Sequence, residues 1–88
     1  MGAFNPKMIA HDVAKGLTSL NPASLKKYSP GDLKALLNTF NAVQREIRSK
    51  QIPQENTMEI KEKNRHLQNV SRAIAVITGY AKQHHIPI

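Results

Sequence analysis

An all-α fold, a small bundle built on an antiparallel hairpin of two long helices, is predicted by three features of the sequence. Prolines at 6, 22, 30, 53 and 87 punctuate the chain, and three of them follow a good N-cap residue. Apolar residues recur at alternating spacings of three and four along most of the length. The chain has 88 residues and no cysteine, enough for one domain held by apolar packing and without a disulfide or thiolate site. Residues 1–88 are therefore expected to form a single helical domain, with no internal repeat or linker.

The elements follow in order. Asn5-Pro6 opens a first helix at about 6–20, with Ile9, Val13, Leu17 and Leu20 on one stripe. Asn21-Pro22 starts a short helix at about 22–28. Ser29-Pro-Gly-Asp32 carries the spacing of a capping box, with the Asp32 carboxylate at the positive end of a long helix at about 30–51. Its seam is Leu33, Leu36, Phe40, Val43 and Ile47, widened by Leu37. After Ile52-Pro53 a second long helix is expected at about 54–84, with Ile60, Leu67, Val70, Ile74, Ile77 and Ala81 in its seam and a break at Lys63-Asn64. Glu55, Glu59 and Glu62 would occupy its first turns, favouring the macrodipole, with Glu59–Lys63 as an i,i+4 pair.

Two heptad seams joined by a short proline turn make a helical hairpin. Folding them about that turn sets Phe40 near Leu67, Leu36 near Val70 and Leu33 near Ile74, with the first helix and the short helix closing the open side. The apolar run Ala73–Ala81 has the composition of a strand, but it sits inside the longer 3.6-residue pattern and is assigned to helix.

Composition excludes several functions. Without cysteine there is no thiolate zinc site, iron–sulfur cluster or cysteine nucleophile. The run 73–81 is far short of the roughly 20 apolar residues that cross a bilayer. Lys7, His11, Asp12 and Lys15 interrupt the N-terminal region, so no signal peptide and a cytoplasmic location are expected. No Walker loop, GxGxxG, GxSxG or HExxH pattern is present, and nothing builds a pocket that would shift a carboxylate pKa, so no catalytic residue, no cofactor and no enzymatic activity are expected. His84 and His85 are adjacent and would diverge by about 100° on a helix. His11 and His66 lack a second ligand at metal spacing, so no metal is expected.

What remains is charge. Thirteen Lys and Arg against six Asp and Glu leave +7. On the first long helix Lys34, Asn38, Asn41, Arg45 and Arg48 share a face clear of the seam, and on the second Lys61, Arg65, Gln68 and Arg72 fall within a narrow arc. Docking is expected to bring Asn41 and Arg45 near Lys61 and Arg65. Cations at one-turn spacing, interleaved with amides, suit a row of phosphates; they also describe an ordinary solvated face. Four glutamates, Glu46, Glu55, Glu59 and Glu62, dilute that end, and the excess is otherwise spread, with no polybasic run beyond Lys26-Lys27. With Phe4, Tyr28, Phe40 and Tyr80 as the aromatics and no Trp, there is no platform for stacking single-stranded bases.

The arc of Arg72 continues into Ala75, Val76 and Gly79, which makes the second long helix apolar on two sides. Either the first helix packs there, or the patch is an interface for self-association or another subunit. The segment Tyr28-Ser-Pro-Gly-Asp-Leu-Lys-Ala-Leu-Leu resembles the oligomerisation helix of bacterial nucleoid-associated proteins of the H-NS type. The likeness covers one helix and lacks that family's glycine/arginine DNA-reading motif, so no residue role is carried over. The turn at Ser29 also has the outline of a helix-turn-helix, though the seam commits most of its second helix to the core.

Two functions are expected from these surfaces. The first is binding of nucleic-acid backbone, DNA or RNA, without sequence readout, as a subunit of a larger nucleoprotein assembly, with Lys34, Arg45, Arg48, Lys61, Arg65 and Arg72 as the phosphate contacts. The second is a protein-interaction adaptor or inhibitor docking on an acidic partner. A third reading, the first helix lying on an anionic membrane with Ile9, Val13 and Leu17 inward, is not expected to hold.

Overall fold

A computed structural model describes residues 5–87. Among the described residues it contains four helices and no strand: α1 (Pro6–Ala14), α2 (Pro22–Leu25), α3 (Pro30–Ser49) and α4 (Thr57–Gln83). The fold is the helical bundle that the seams predict, with α3 and α4 packed as an antiparallel hairpin.

The proline-linked caps form as expected. Asn5 Oδ1 accepts from the Met8 N–H at 3.1 Å, and Asn21 Oδ1 from the Ser24 N–H at 2.8 Å. Ser29 and Asp32 make the reciprocal capping box, with bonds of 3.1 and 3.3 Å. Each satisfies donors that a helix start leaves open.

The helix ends depart from the sequence pattern. α1 stops at Ala14 instead of about 20, because Gly16 takes φ +81° and closes a Schellman motif. Its N–H donates to the Val13 carbonyl at 3.0 Å and the Leu17 N–H to that of Asp12 at 2.9 Å. Leu17 therefore leaves the stripe and is 74% exposed, and the buried face of α1 is Ala10, Val13 and Ala14. A second Schellman motif ends α4: the His85 N–H donates to the Lys82 carbonyl and the Ile86 N–H to that of Ala81 at 2.8 Å, with His85 at φ +55°. That turn folds Ile86 back onto the core, so the tail is partly structural; Ile88 lies outside the described residues. α2 is a single turn that inserts Leu25 into the core. α4 starts at Thr57 rather than 54, since the Asn56 N–H is taken by the Pro53 carbonyl in a turn. Glu55 consequently lies in that turn, outside the first turns of the helix.

The register of the hairpin also differs. Gln44 Nε2 donates to Ser71 Oγ at 2.8 Å. Taken with the bond from Lys63 Nζ to the Lys50 carbonyl, it sets Val43 within a turn of Val70, Phe40 within a turn of Ala73 and Leu36 within a turn of Ile77, all of them buried. The pairing expected from a tight turn, Phe40 with Leu67, is displaced by roughly one heptad. The first turns of α4 project past the end of α3, and Lys63 Nζ reaches across to the Lys50 carbonyl at 2.7 Å. Lys63 is thus bound there and not to Glu59.

α1 crosses the hairpin obliquely. Lys7, near its start, borders Asn38, Thr39, Ala42, Val43 and Glu46 of α3, and the Ala14 carbonyl at its end accepts from Asn69 Nδ2 of α4 at 3.0 Å. The small side chains of Ala10 and Ala14 permit this close crossing. The overall dimensions, 45 × 30 × 19 Å, match two helical layers in thickness and α4 in length. Leu25, Leu33, Leu36, Phe40, Val70 and Ile77 fill the interior, each contributing about 1.5–3 kcal/mol by burial. Leu33, Leu36, Phe40 and Val43 commit one whole face of α3 to the core, as the seam predicts. Val13 is likewise buried, in the core and not on an open face of α1.

Candidate functional site

The cations singled out in the sequence occupy two surfaces. On α3, Lys34, Asn38, Asn41, Arg45 and Arg48 are exposed. Asn41, Gln44, Arg45 and Arg48 border a shallow depression along this helix. It lies on the side that meets α4, since Gln44 bonds Ser71, while Lys7 of α1 borders the opposite flank at Thr39, Ala42 and Glu46. On α4, Lys61, Arg65, Gln68 and Arg72 are also exposed. No ion pair forms among the described residues, so each of the six candidate cations keeps its charge unneutralised by a direct partner.

The two rows are not laid side by side as a tight hairpin would have them. In the observed register Arg45 and Arg48 come level with the middle of α4, near Arg65 to Ser71, while Lys61 lies beyond the end of α3. The row on α4 also faces a different way. Ser71 marks the flank turned to α3, and Asn69 the flank turned to α1. Arg72 stands one turn beyond Asn69 and lines a cavity of about 360 Å³ with Val13, the Gly16–Leu20 loop, Asn69 and Ala73. The rows therefore form a belt that wraps the hairpin edge, with Lys34, Arg45 and Arg48 on one side and Arg65 and Arg72 on the other.

Three of the glutamates border cavities of their own. Glu59 and Glu62 border a cavity of about 240 Å³ beneath the 50–56 connector, with Ile47, Lys50, Ile52, Lys63 and His66. Glu46 is on the α1 flank of α3.

Of the candidate interface, Ala75 and Gly79 are exposed and a Cβ at Gly79 would meet nothing within 4 Å; Val76 is half-buried against the core. α1 meets α4 at Asn69 and leaves Ala75 and Gly79 exposed. His84 caps α4 and stacks on Tyr80, ring centroids 4.3 Å apart, while His85 has left the helix. Among the described residues no group of three or more His, Asp or Glu is placed to hold a metal ion, and no helix is long and apolar enough to cross a membrane.

The Gly16–Leu20 loop is the feature that periodicity misses. Its signal is present in the sequence: a glycine directly after Lys15, then Thr18 and Ser19 ahead of Asn21-Pro22, which is the grammar of a helix stop and a new start. No family model, curated protein or solved structure matches the chain.

Proposed function

We propose that this protein binds nucleic-acid backbone without reading sequence, as a non-enzymatic subunit of a larger nucleoprotein assembly. The observation that carries the reading is the belt of six cations, Lys34, Arg45, Arg48, Lys61, Arg65 and Arg72, all exposed and none ion-paired. A belt wrapping a hairpin edge suits a phosphate chain followed along its length, and the scarcity of aromatics argues against base stacking as the source of affinity. Fluorescence anisotropy on duplex and single-stranded oligonucleotides of unrelated sequence tests it. Affinity should be indifferent to sequence and should fall by roughly 0.7–0.9 log units per contact for each tenfold rise in salt. Flat anisotropy at low salt with micromolar protein sinks the idea.

A second reading, a protein adaptor that docks on an acidic partner, draws support from Ala75 and Gly79, a small uncovered arc next to the basic row. The same arc would serve self-association. Charge rows would steer such a partner and the arc would anchor it. Charge reversal at Arg45 and Arg48, followed by co-purification with and without nuclease, separates the two: contacts that survive nuclease but not reversal favour the adaptor.

A further inference from the structure

We infer that the cavity between the Gly16–Leu20 loop and α4 is a seat for one phosphate group, with Arg72 as its anchor. The inference deepens the nucleic-acid reading and rests on it only for what carries the phosphate.

The seat is held from two directions. The Schellman motif fixes the base of the loop through the Gly16 and Leu17 N–H groups, and Asn69 Nδ2 ties the Ala14 carbonyl to α4. Gly16 is required for its φ of +81°, which turns the chain; a side chain there would lie in ordinary contact with the Asn69 amide. The resulting cavity, about 360 Å³, has an apolar floor of Val13, Leu20 and Ala73 and a polar rim of Thr18, Ser19 and Arg72. That volume lies in the range of about 300–1,000 Å³ usual for small-ligand sites.

The donors at the rim are uncommitted. Within the described residues neither the Thr18 and Ser19 hydroxyls, nor the N–H groups of Thr18, Ser19 and Leu20, nor the Arg72 guanidinium has a hydrogen-bond partner. No carboxylate lines the cavity. A guanidinium with hydroxyl and backbone donors is the donor set that phosphate oxygens accept from, in short charge-assisted bonds.

The other cavities lack this combination. Glu59 and Glu62 offset Lys50 and Lys63 in the one beneath the connector, and Glu46 offsets Lys7 in the other, so neither carries the excess positive charge that an anion needs. The depression along α3 offers Arg45 and Arg48, but its helical N–H groups are spent within the helix and Gln44 is engaged by Ser71. It supplies charge without fixed geometry. The cavity at Arg72 thus adds loop hydroxyls and free backbone N–H groups to a cation, which the depression along α3 lacks.

The test is amide-resolved NMR with inorganic phosphate, then with a single-stranded oligonucleotide, on the wild type, Arg72→Gln, Arg48→Gln and the double variant Thr18→Val/Ser19→Ala. Phosphate should shift the amides of Thr18, Ser19 and Leu20, and Arg72→Gln should abolish those shifts with the fold unchanged by circular dichroism. Oligonucleotide affinity should fall about tenfold or more in Arg72→Gln, a charge-assisted contact in a fixed site, and less in Arg48→Gln. The hydroxyl variant should weaken binding at an unchanged salt slope, because no charge is lost. Phosphate shifts at 18–20 without any oligonucleotide binding would keep the seat and remove the nucleic-acid reading. Oligonucleotide binding that leaves 18–20 unmoved, or equal losses for Arg72→Gln and Arg48→Gln with a silent hydroxyl variant, would overturn the seat and leave that reading standing.

Discussion

The two halves of α4 share one helix and one apolar period, yet they live in different surroundings. From Asn69 onward the helix is held by α3 on one flank and by α1 and the Gly16–Leu20 loop on the other, and all four of its buried residues, Val70, Ala73, Ile77 and Ala81, fall here. The half before it projects past the end of α3. There Met58 is 74% exposed, Ile60 and Leu67 are half-buried, and the 50–56 connector with the Lys63–Lys50 bond supplies the cover. An apolar stripe is therefore a condition for burial and not a guarantee of it; burial needs a partner at the same height.

That contrast can be broken by mutation. The largest effect should come from Ile77→Ala, which empties a fully enclosed site and should cost about 2–5 kcal/mol in urea unfolding. Ile60→Ala, in the projecting half, should cost under about 1 kcal/mol. Equal losses at the two positions would mean that the first turns of α4 have a partner the fold does not show. Next is Gly16→Ala. The added Cβ has room, its nearest neighbour being Asn69 Nδ2 at 3.7 Å, so the loss of about 1–2 kcal/mol should reflect backbone conformation alone. A neutral result would show that α1 does not end in a left-handed turn.

Gly79→Leu should act in the opposite direction. With nothing within 4 Å of a new Cβ, it replaces a poor helix former by a good one and should raise stability by about 0.5–1 kcal/mol, read as a higher melting temperature. A protein whose mass falls in light scattering on this substitution would instead identify the arc with Ala75 and Val76 as a self-association surface. The smallest effect belongs to Lys63→Met. Global stability should stay within about 0.5 kcal/mol, while amide exchange across 57–63 accelerates and that across 70–81 does not. Uniform acceleration would show the two halves opening as one unit.

Much of this was legible beforehand for local reasons. Asn5-Pro6, Asn21-Pro22 and Ser29-Pro30 mark helix starts because proline at the first helical position loses no bond and the preceding side chain caps the open N–H groups. The seam Leu33, Leu36, Phe40 and Val43 is buried as its spacing requires. The candidate cations were equally legible as exposed, being charged and off the seam. Harder to see was that Arg72 meets the Gly16–Leu20 loop, 52 or more positions earlier in the chain, because no periodic signal links a loop to a helix face.

Capping chemistry and the 3.6-residue period act within a few residues of themselves, and so helix number, the three starts at Pro6, Pro22 and Pro30 and the all-α class follow from composition and order. Register does not. A heptad seam nearly repeats itself under a slide of two turns, so docking Phe40 against Leu67 or against Ala73 leaves apolar residues facing apolar residues in both cases. The degeneracy is broken by contacts that exist only once the chain has folded: Gln44 on Ser71, Lys63 on Lys50, and α1 tied to Asn69. Those three bonds decide which half of α4 is covered and on which side of the hairpin each arginine stands.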